Sequence, residues 1–194
     1  TFTLVQEYPD LSPPIAHLDL YRLGDPDEVF ELGLDEWLSR GAALIEWPEK
    51  GKGAIGEVNL SLKIDVLSGD HRTCVIEAKG SMAERVERSL RIRQFLDANA
   101  FPMAARKQQA GDASARRYER VTPAGETNEH VLMDAPRTPD GPAIYDGLPY
   151  SQAVHLSEDV LPFVAIGNLL RDHHFRAPEI LAQNLDDGLL LIEN

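Results

Sequence analysis

The chain has 194 residues, 43% of them hydrophobic and 26% charged, with a formal net charge of −13 and a pI near 4.8. That composition suits a globular fold with a real core and excludes wholesale disorder, and the acidic balance argues against unaided capture of nucleic acid or of an anionic membrane. A single cysteine, Cys74, leaves no internal disulfide and no cysteine metal cage, as expected of a reducing cytoplasm, and no apolar run nears the roughly 18 residues that span a bilayer.

In chain order, "TFTLVQEY" (1–8) alternates like a strand, "PDLSPP" is a loop, and "IAHLDLYRL" (15–23) is a second strand. "GDPDEVFELGLDEWL" follows, with Asp25 as N-cap, Pro26 in the first helical position and Glu28 as the acid of a capping box. The helix breaks near Gly33 and resumes at Asp35–Leu38. "AALIEW" (42–47) is an apolar run of buried-strand type that Pro48 ends, and "VNLSLKIDVL" with "TCVIEA" reads as a hairpin around "SGDH".

The character changes at Ser81. "SMAE" is a second capping box, and Met82, Val86, Leu90 and Phe95–Leu96 have helical spacing. Strands are expected at "ARRYERVTP" (115–123) and "HVLMDAP" (130–136), and a loop over 137–150. A helix follows over 157–175 with Ser157 as N-cap, and then a hairpin of "EILAQNL" and "LLLIEN" around "DDG". A boundary therefore falls at about residue 80, with modules 1–80 and 81–194 on either side. The first holds 7 basic and 15 acidic residues, and the second 12 and 17, with arginine almost wholly replacing lysine. Both ends lie in strand-like sequence, which reads as a middle fragment cut through structure.

Three positions in the first module have the chemistry of a site. In "HLDLYR", Leu18 and Leu20 share one strand face and His17, Asp19 and Tyr21 the other. Asp19 is either a solvated carboxylate or a magnesium ligand, and magnesium takes only one or two protein oxygens beside phosphates and water. Glu46 interrupts an apolar strand at its carboxyl end, where open α/β sheets bind ligands; it is either exposed or placed to position a water or to contact magnesium through one. Trp47 is either core or a cofactor contact.

The segments "TFTLVQEY", "HLDLYRLGDPDEVFELGLDEWL" and "LIEWPEKGKG", in that order, closely resemble TsaE, the bacterial P-loop ATPase family needed for threonylcarbamoyladenosine formation on tRNA. The resemblance implies that Thr1 lies near the nucleotide phosphates, that Asp19 serves magnesium, and that Glu46 stands near the γ-phosphate or its attacking water. It also implies that Trp47 lies close to the nucleotide, and that ATP and the protein subunits of the tRNA-modifying complex are partners. The sequence departs from the family in one respect: it contains no G-x-x-x-x-G-K-[ST] run, and "GKG" at 51–53 lacks the spacing. Without that phosphate cradle this chain is expected not to turn over ATP at the site.

In the second module, "GDASARRYERV" is either a plain hairpin or a turn whose backbone N–H groups close over phosphates. With "HVLMDAP", "PFVAIGNLLRDHHFRAPEILAQNL" and "GLLLIEN" it resembles the N-terminal lobe of aminoglycoside-phosphotransferase-like kinases, nearest the anomeric amino-sugar kinases of the AmgK type. That likeness implies a nucleotide loop over 111–117 with Gly111, Asp112, Ser114, Arg116 and Arg117, a third strand at 131–134, an αC-like helix at 160–172, and an adenine-binding hinge near Glu193. Met133 stands about where such kinases carry a basic residue, and Arg116 or Arg117 is either its substitute or part of a solvated face. His173 and His174 read as a helix cap rather than a metal pair.

The expected fold class is α/β, a partial P-loop NTPase sheet followed by a kinase-like α+β lobe, both truncated. The expected protein is a cytoplasmic fusion using ATP and magnesium, with an amino sugar as a further substrate and no strong direct nucleic-acid or membrane binding. The alternatives are an anomeric N-acetylmuramate or N-acetylglucosamine kinase of cell-wall recycling as the main activity, and a non-enzymatic scaffold with two vestigial half-sites.

Overall fold

In a computed structural model, which describes residues 4–110, 116–137, 141–153 and 157–194, the chain is a mixed α/β protein that divides into two units, Thr1–Ala83 and Glu84–Asn194. The first unit is built on a three-stranded sheet of order β1-β2-β3. β1 (Val5–Tyr8) runs antiparallel to β2 (Ile15–Asp19), and β2 runs parallel to β3 (Ala42–Glu46).

Period-two patterning sets the faces of this sheet. Ala16, Leu18 and Leu20 point to one side and are fully buried, together with Leu23, Val29, Leu34 and Trp37. Burying a leucine side chain stabilises by about 1.5–3 kcal/mol, so this one-sided core anchors the sheet. The residues between them, His17 and Asp19, necessarily face the other way.

The parallel connection from β2 to β3 is helical. A 3-10 helix spans Pro26–Leu32 and α1 spans Leu34–Arg40. Asp25 accepts from the Asp27 N–H at 3.0 Å, and Glu28 accepts from the Asp25 N–H at 2.9 Å, closing the capping box. Gly33, at φ 69°, turns the chain between the two helices. Gly41 then starts β3 so close to β2 that a Cβ there would stand 2.1 Å from the Pro14 carbonyl oxygen.

After a 3-10 turn at Pro48–Gly51, β4 (Leu60–Val66) and β5 (Arg72–Ala78) form a separate two-stranded hairpin. Leu60, Leu62, Ile64 and Val66 fall on one of its faces, paired with Ala78, Ile76, Cys74 and Arg72, and the leucine, isoleucine and valine stripe is exposed.

The second unit is a five-stranded antiparallel sheet of order β11-β12-β8-β7-β6, packed on both faces. Its strands are β6 (Ala105–Gln108), β7 (Arg117–Thr122), β8 (His130–Asp134), β11 (Ile180–Asn184) and β12 (Leu189–Glu193). Ile92, Phe95 and Leu96 of α2 (Ser81–Ala98) pack on Val121, Leu132, Leu189 and Leu191. Val160 and Val164, at and within α4 (Leu161–Asp172), pack on Met133, Leu190 and Ile192 from the opposite side. The unbroken apolar run of β12 follows from this two-sided burial.

Four local expectations are corrected. The inward face of α2 runs through Ile92, Phe95 and Leu96, and Leu90 is exposed, because the sheet meets the C-terminal half of the helix. The loop over 137–150 contains a short strand pair, β9 (Ala143–Tyr145) and β10 (Leu148–Pro149), before a one-turn helix, α3 (Tyr150–Ala153). Ser157 does not cap α4, since its hydroxyl donates to the Asp159 carbonyl and the Asp159 side chain accepts the Leu161 N–H instead. β6 adds a strand where none is expected, its "ARKQ" being too short and polar to show alternation.

Candidate functional site

The parallel register of β2 and β3 places Asp19 beside Glu46. Both residues end their strands, so two acidic residues are register partners at the carboxyl edge of a parallel pair, on strands spaced about 5 Å apart. The Leu20 N–H donates to the Glu46 carbonyl at 3.1 Å, extending the ladder one residue past Asp19. Asp19 is fixed locally, because its Oδ1 accepts the Tyr21 N–H at 3.0 Å. That bond turns the chain away from the strand, as Asp side chains do where they replace a backbone turn partner.

Glu46 is fixed across the strands. His17 Nε2 lies 2.9 Å from Glu46 Oε1. The contact is diagonal, since the register partner of His17 is Leu44. The His17 side chain is 27% exposed and that of Glu46 55%, so the imidazole is the better buried end of the pair. Just past the strand ends, the Tyr21 and Trp47 rings meet at 5.0 Å between centroids with a 52° tilt. Trp47 sits in the left-handed region at φ 55°, uncommon for a bulky side chain, and starts the turn into Pro48. Both rings are about half exposed, so Trp47 belongs to this surface and not to the core, which uses Trp37.

Like charges directly opposite on adjacent strands repel, and a cation relieves that repulsion. Two carboxylates side by side, one fixed by a backbone N–H and one by an imidazole, suit the small oxygen share that a protein contributes to magnesium. Among the described residues no group of three or more His, Cys, Asp or Glu side chains is arranged to hold a metal ion.

The other expected positions are less informative. Thr1, Gly111, Asp112 and Ser114 lie outside the described residues. Arg116 is half-buried just before β7, and Arg117 opens β7 on an exposed position opposite Asp134. Glu193 ends β12 opposite His130, and its backbone and side chain both bond Glu179. A shallow surface depression there is lined by Thr127, Asn128, Glu129, His130, Glu193 and Asn194. Met133 is buried core. His173 stands at the C-cap of α4, its backbone N–H donating to Leu169, and His174 takes a left-handed φ of 60°. "GKG" has a packing role: Gly51 is buried, and a Cβ on it would crowd Val29, Leu20 and Ile55.

Two features escape sequence reasoning. Alternation puts His17 on the Asp19 face, but its bond to Glu46 depends on a register between strands 29 positions apart. Arg88 carries no motif signal. It donates to Asp134 Oδ1 from Nε at 3.0 Å and Nη2 at 2.6 Å, and to the Asp187 carbonyl at 2.7 Å, tying α2 to the end of β8 and to the turn before β12.

Residues 1–90 match the family model "Threonylcarbamoyl adenosine biosynthesis protein TsaE". Among curated proteins, a tRNA threonylcarbamoyladenosine biosynthesis protein TsaE of Rickettsia bellii is 42% identical over 76 residues, 39% of this chain and 53% of that protein. The protein of the same name in Haemophilus influenzae is 36% identical over 87 residues, 44% of this chain and 54% of its own length. That of Bacillus subtilis is 34% identical over 85 residues, covering 43% and 52%. The chain spans about half the length of the curated relatives it matches.

Proposed function

We propose that the TsaE family domain over residues 1–90 supplies the magnesium and water side of an ATPase site that serves threonylcarbamoyladenosine formation on tRNA. The observation that carries this reading is the side-by-side placement of Asp19 and Glu46 at the carboxyl ends of two parallel strands. In the proposed roles Asp19 orients a magnesium ion, Glu46 holds the attacking water or a magnesium-bound one, and Trp47 with Tyr21 flanks the nucleotide. Bound magnesium would neutralise charge developing on the phosphates. Protein partners fit the net charge of −13 better than direct capture of tRNA does. A cytoplasmic setting is part of the same proposal.

The sequence holds no P-loop run, so ATP turnover requires a phosphate cradle from outside residues 1–194. The test is ATP hydrolysis by the complete gene product beside residues 1–194 alone. The complete product should hydrolyse ATP and lose most of that activity in Asp19→Ala and in Glu46→Gln, while the 194-residue chain should show none. Activity in the short chain that disappears in Asp19→Ala would overturn the need for the cradle. Full activity in both variants of the complete product would overturn the site.

For the second unit we propose the nucleotide-holding lobe of a small-molecule phosphotransferase. The supporting observation is its layout: β8 is the third strand of its sheet in chain order, and α4 follows as a helix packed on that sheet. The complete product should transfer the γ-phosphate of ATP to N-acetylmuramic acid or N-acetylglucosamine. No labelled product from either sugar overturns the substrate assignment.

A further inference from the structure

We propose that His17 is a positioning residue for Glu46: its imidazole, 2.9 Å away, restrains the carboxylate beside the strand that carries Asp19. The inference rests on the ATPase reading of Glu46. A glutamate with a side chain 55% exposed at a strand end is otherwise free to rotate about three bonds, and a freely rotating carboxylate is a poor holder of a water. His17 has only two side-chain torsions and is the more buried partner, so the order flows from the imidazole to the carboxylate. An ionised carboxylate only accepts hydrogen bonds, so His17 donates through Nε2 across the 2.9 Å contact. That bond occupies Glu46 Oε1.

The geometry is specific to this register. His17 and Asp19 are two residues apart on one strand face, so the same strand that carries Asp19 also steers the neighbouring strand's acid. A slip of one residue would send His17 into the core and release Glu46.

Two readouts test the proposal, one free of catalysis. In the 194-residue chain, the His17 imidazole 15N shifts should show a proton on Nε2, and Glu46→Ala should shift them while leaving the other histidine signals in place. A proton on Nδ1 alone, or His17 signals indifferent to Glu46→Ala, overturns the contact. In the complete gene product, His17→Ala should lower kcat about 10- to 100-fold, the usual effect of losing a residue that orients a catalytic group. Nucleotide affinity measured without magnesium should change less than about two-fold, since the water or ion that Glu46 holds is then absent. His17→Gln, which keeps a donor, should recover most of the rate, and His17→Ala with Glu46→Ala should be no worse than Glu46→Ala alone. An inactive Glu46→Ala beside a fully active His17→Ala sinks the positioning role and leaves the ATPase reading standing. An active Glu46→Ala sinks the ATPase reading itself.

Discussion

Asp134→Ala is the sharpest test of what holds the second unit together. Asp134 has a side chain 6% exposed and accepts both Nε and Nη2 of Arg88, which is itself 18% exposed. Removing one member of a buried ion pair typically costs about 3–5 kcal/mol, because the other charge is left without its partner. Here the orphaned guanidinium keeps the Asp187 carbonyl at 2.7 Å and some access to water, so the loss belongs at the low end, about 3 kcal/mol. With an m-value of about 2 kcal/mol/M in urea, the midpoint should fall by about 1.5 M. Hydrogen exchange at the Leu132 and Leu191 amides reports this unit separately from the first. Replacing both partners together, Arg88→Met with Asp134→Leu, should recover most of the loss, since apolar groups of similar size leave no charge buried. A cost under about 1 kcal/mol for Asp134→Ala, or single-variant costs that merely add in an Arg88→Ala and Asp134→Ala double variant, would refute the reasoning.

Gly41→Ala should destabilise the first unit by about 1–3 kcal/mol, because the new methyl would meet the Pro14 carbonyl at 2.1 Å, and exchange at the β2 and β3 amides should quicken while the second unit is unchanged. Equal protection in the variant would show that β3 can move away without loss. Asp25→Ala removes the N-cap acceptor and should cost about 1 kcal/mol in urea unfolding of the first unit; an unchanged midpoint would mean that Glu28 caps the helix alone. Tyr21→Ala strips Trp47 of its ring partner at 5.0 Å, so Trp47 emission should move to longer wavelength while the buried Trp37 keeps its own. No change in the emission difference spectrum would argue against the ring contact in solution.

How much of the fold is legible in the sequence depends on the distance between the residues involved. The Asp25–Glu28 box, the break at Gly33, the hairpin turn at Gly188 and the alternation of β2 are all set within a few residues by backbone geometry and side-chain period, and they can be read directly. The cap of α4 is harder to place, because Ser157 and Asp159 are both competent caps, and only the packing of Val160 and Val164 on the sheet decides where the helix starts. The inward face of α2 is ambiguous from spacing alone, because a long helix offers several apolar stripes and the sheet selects one.

Side-chain chemistry and chain order are enough to send Asp19 out of the core, since Leu18 and Leu20 claim the other face of their strand. They are also enough to nominate Asp19 and Glu46 as the candidate acids and to reveal the family likeness over nearly all of residues 1–53, which the family match carries on to residue 90. The assembled sheets were needed to stand these two acids side by side, to let His17 steer one of them, and to lock Arg88 of α2 onto Asp134 over 46 positions of chain. Strand periodicity tells which way a side chain points but not what stands opposite it. Register between distant strands is chosen by the burial of whole apolar faces, and the polar contacts at the strand ends follow from that choice.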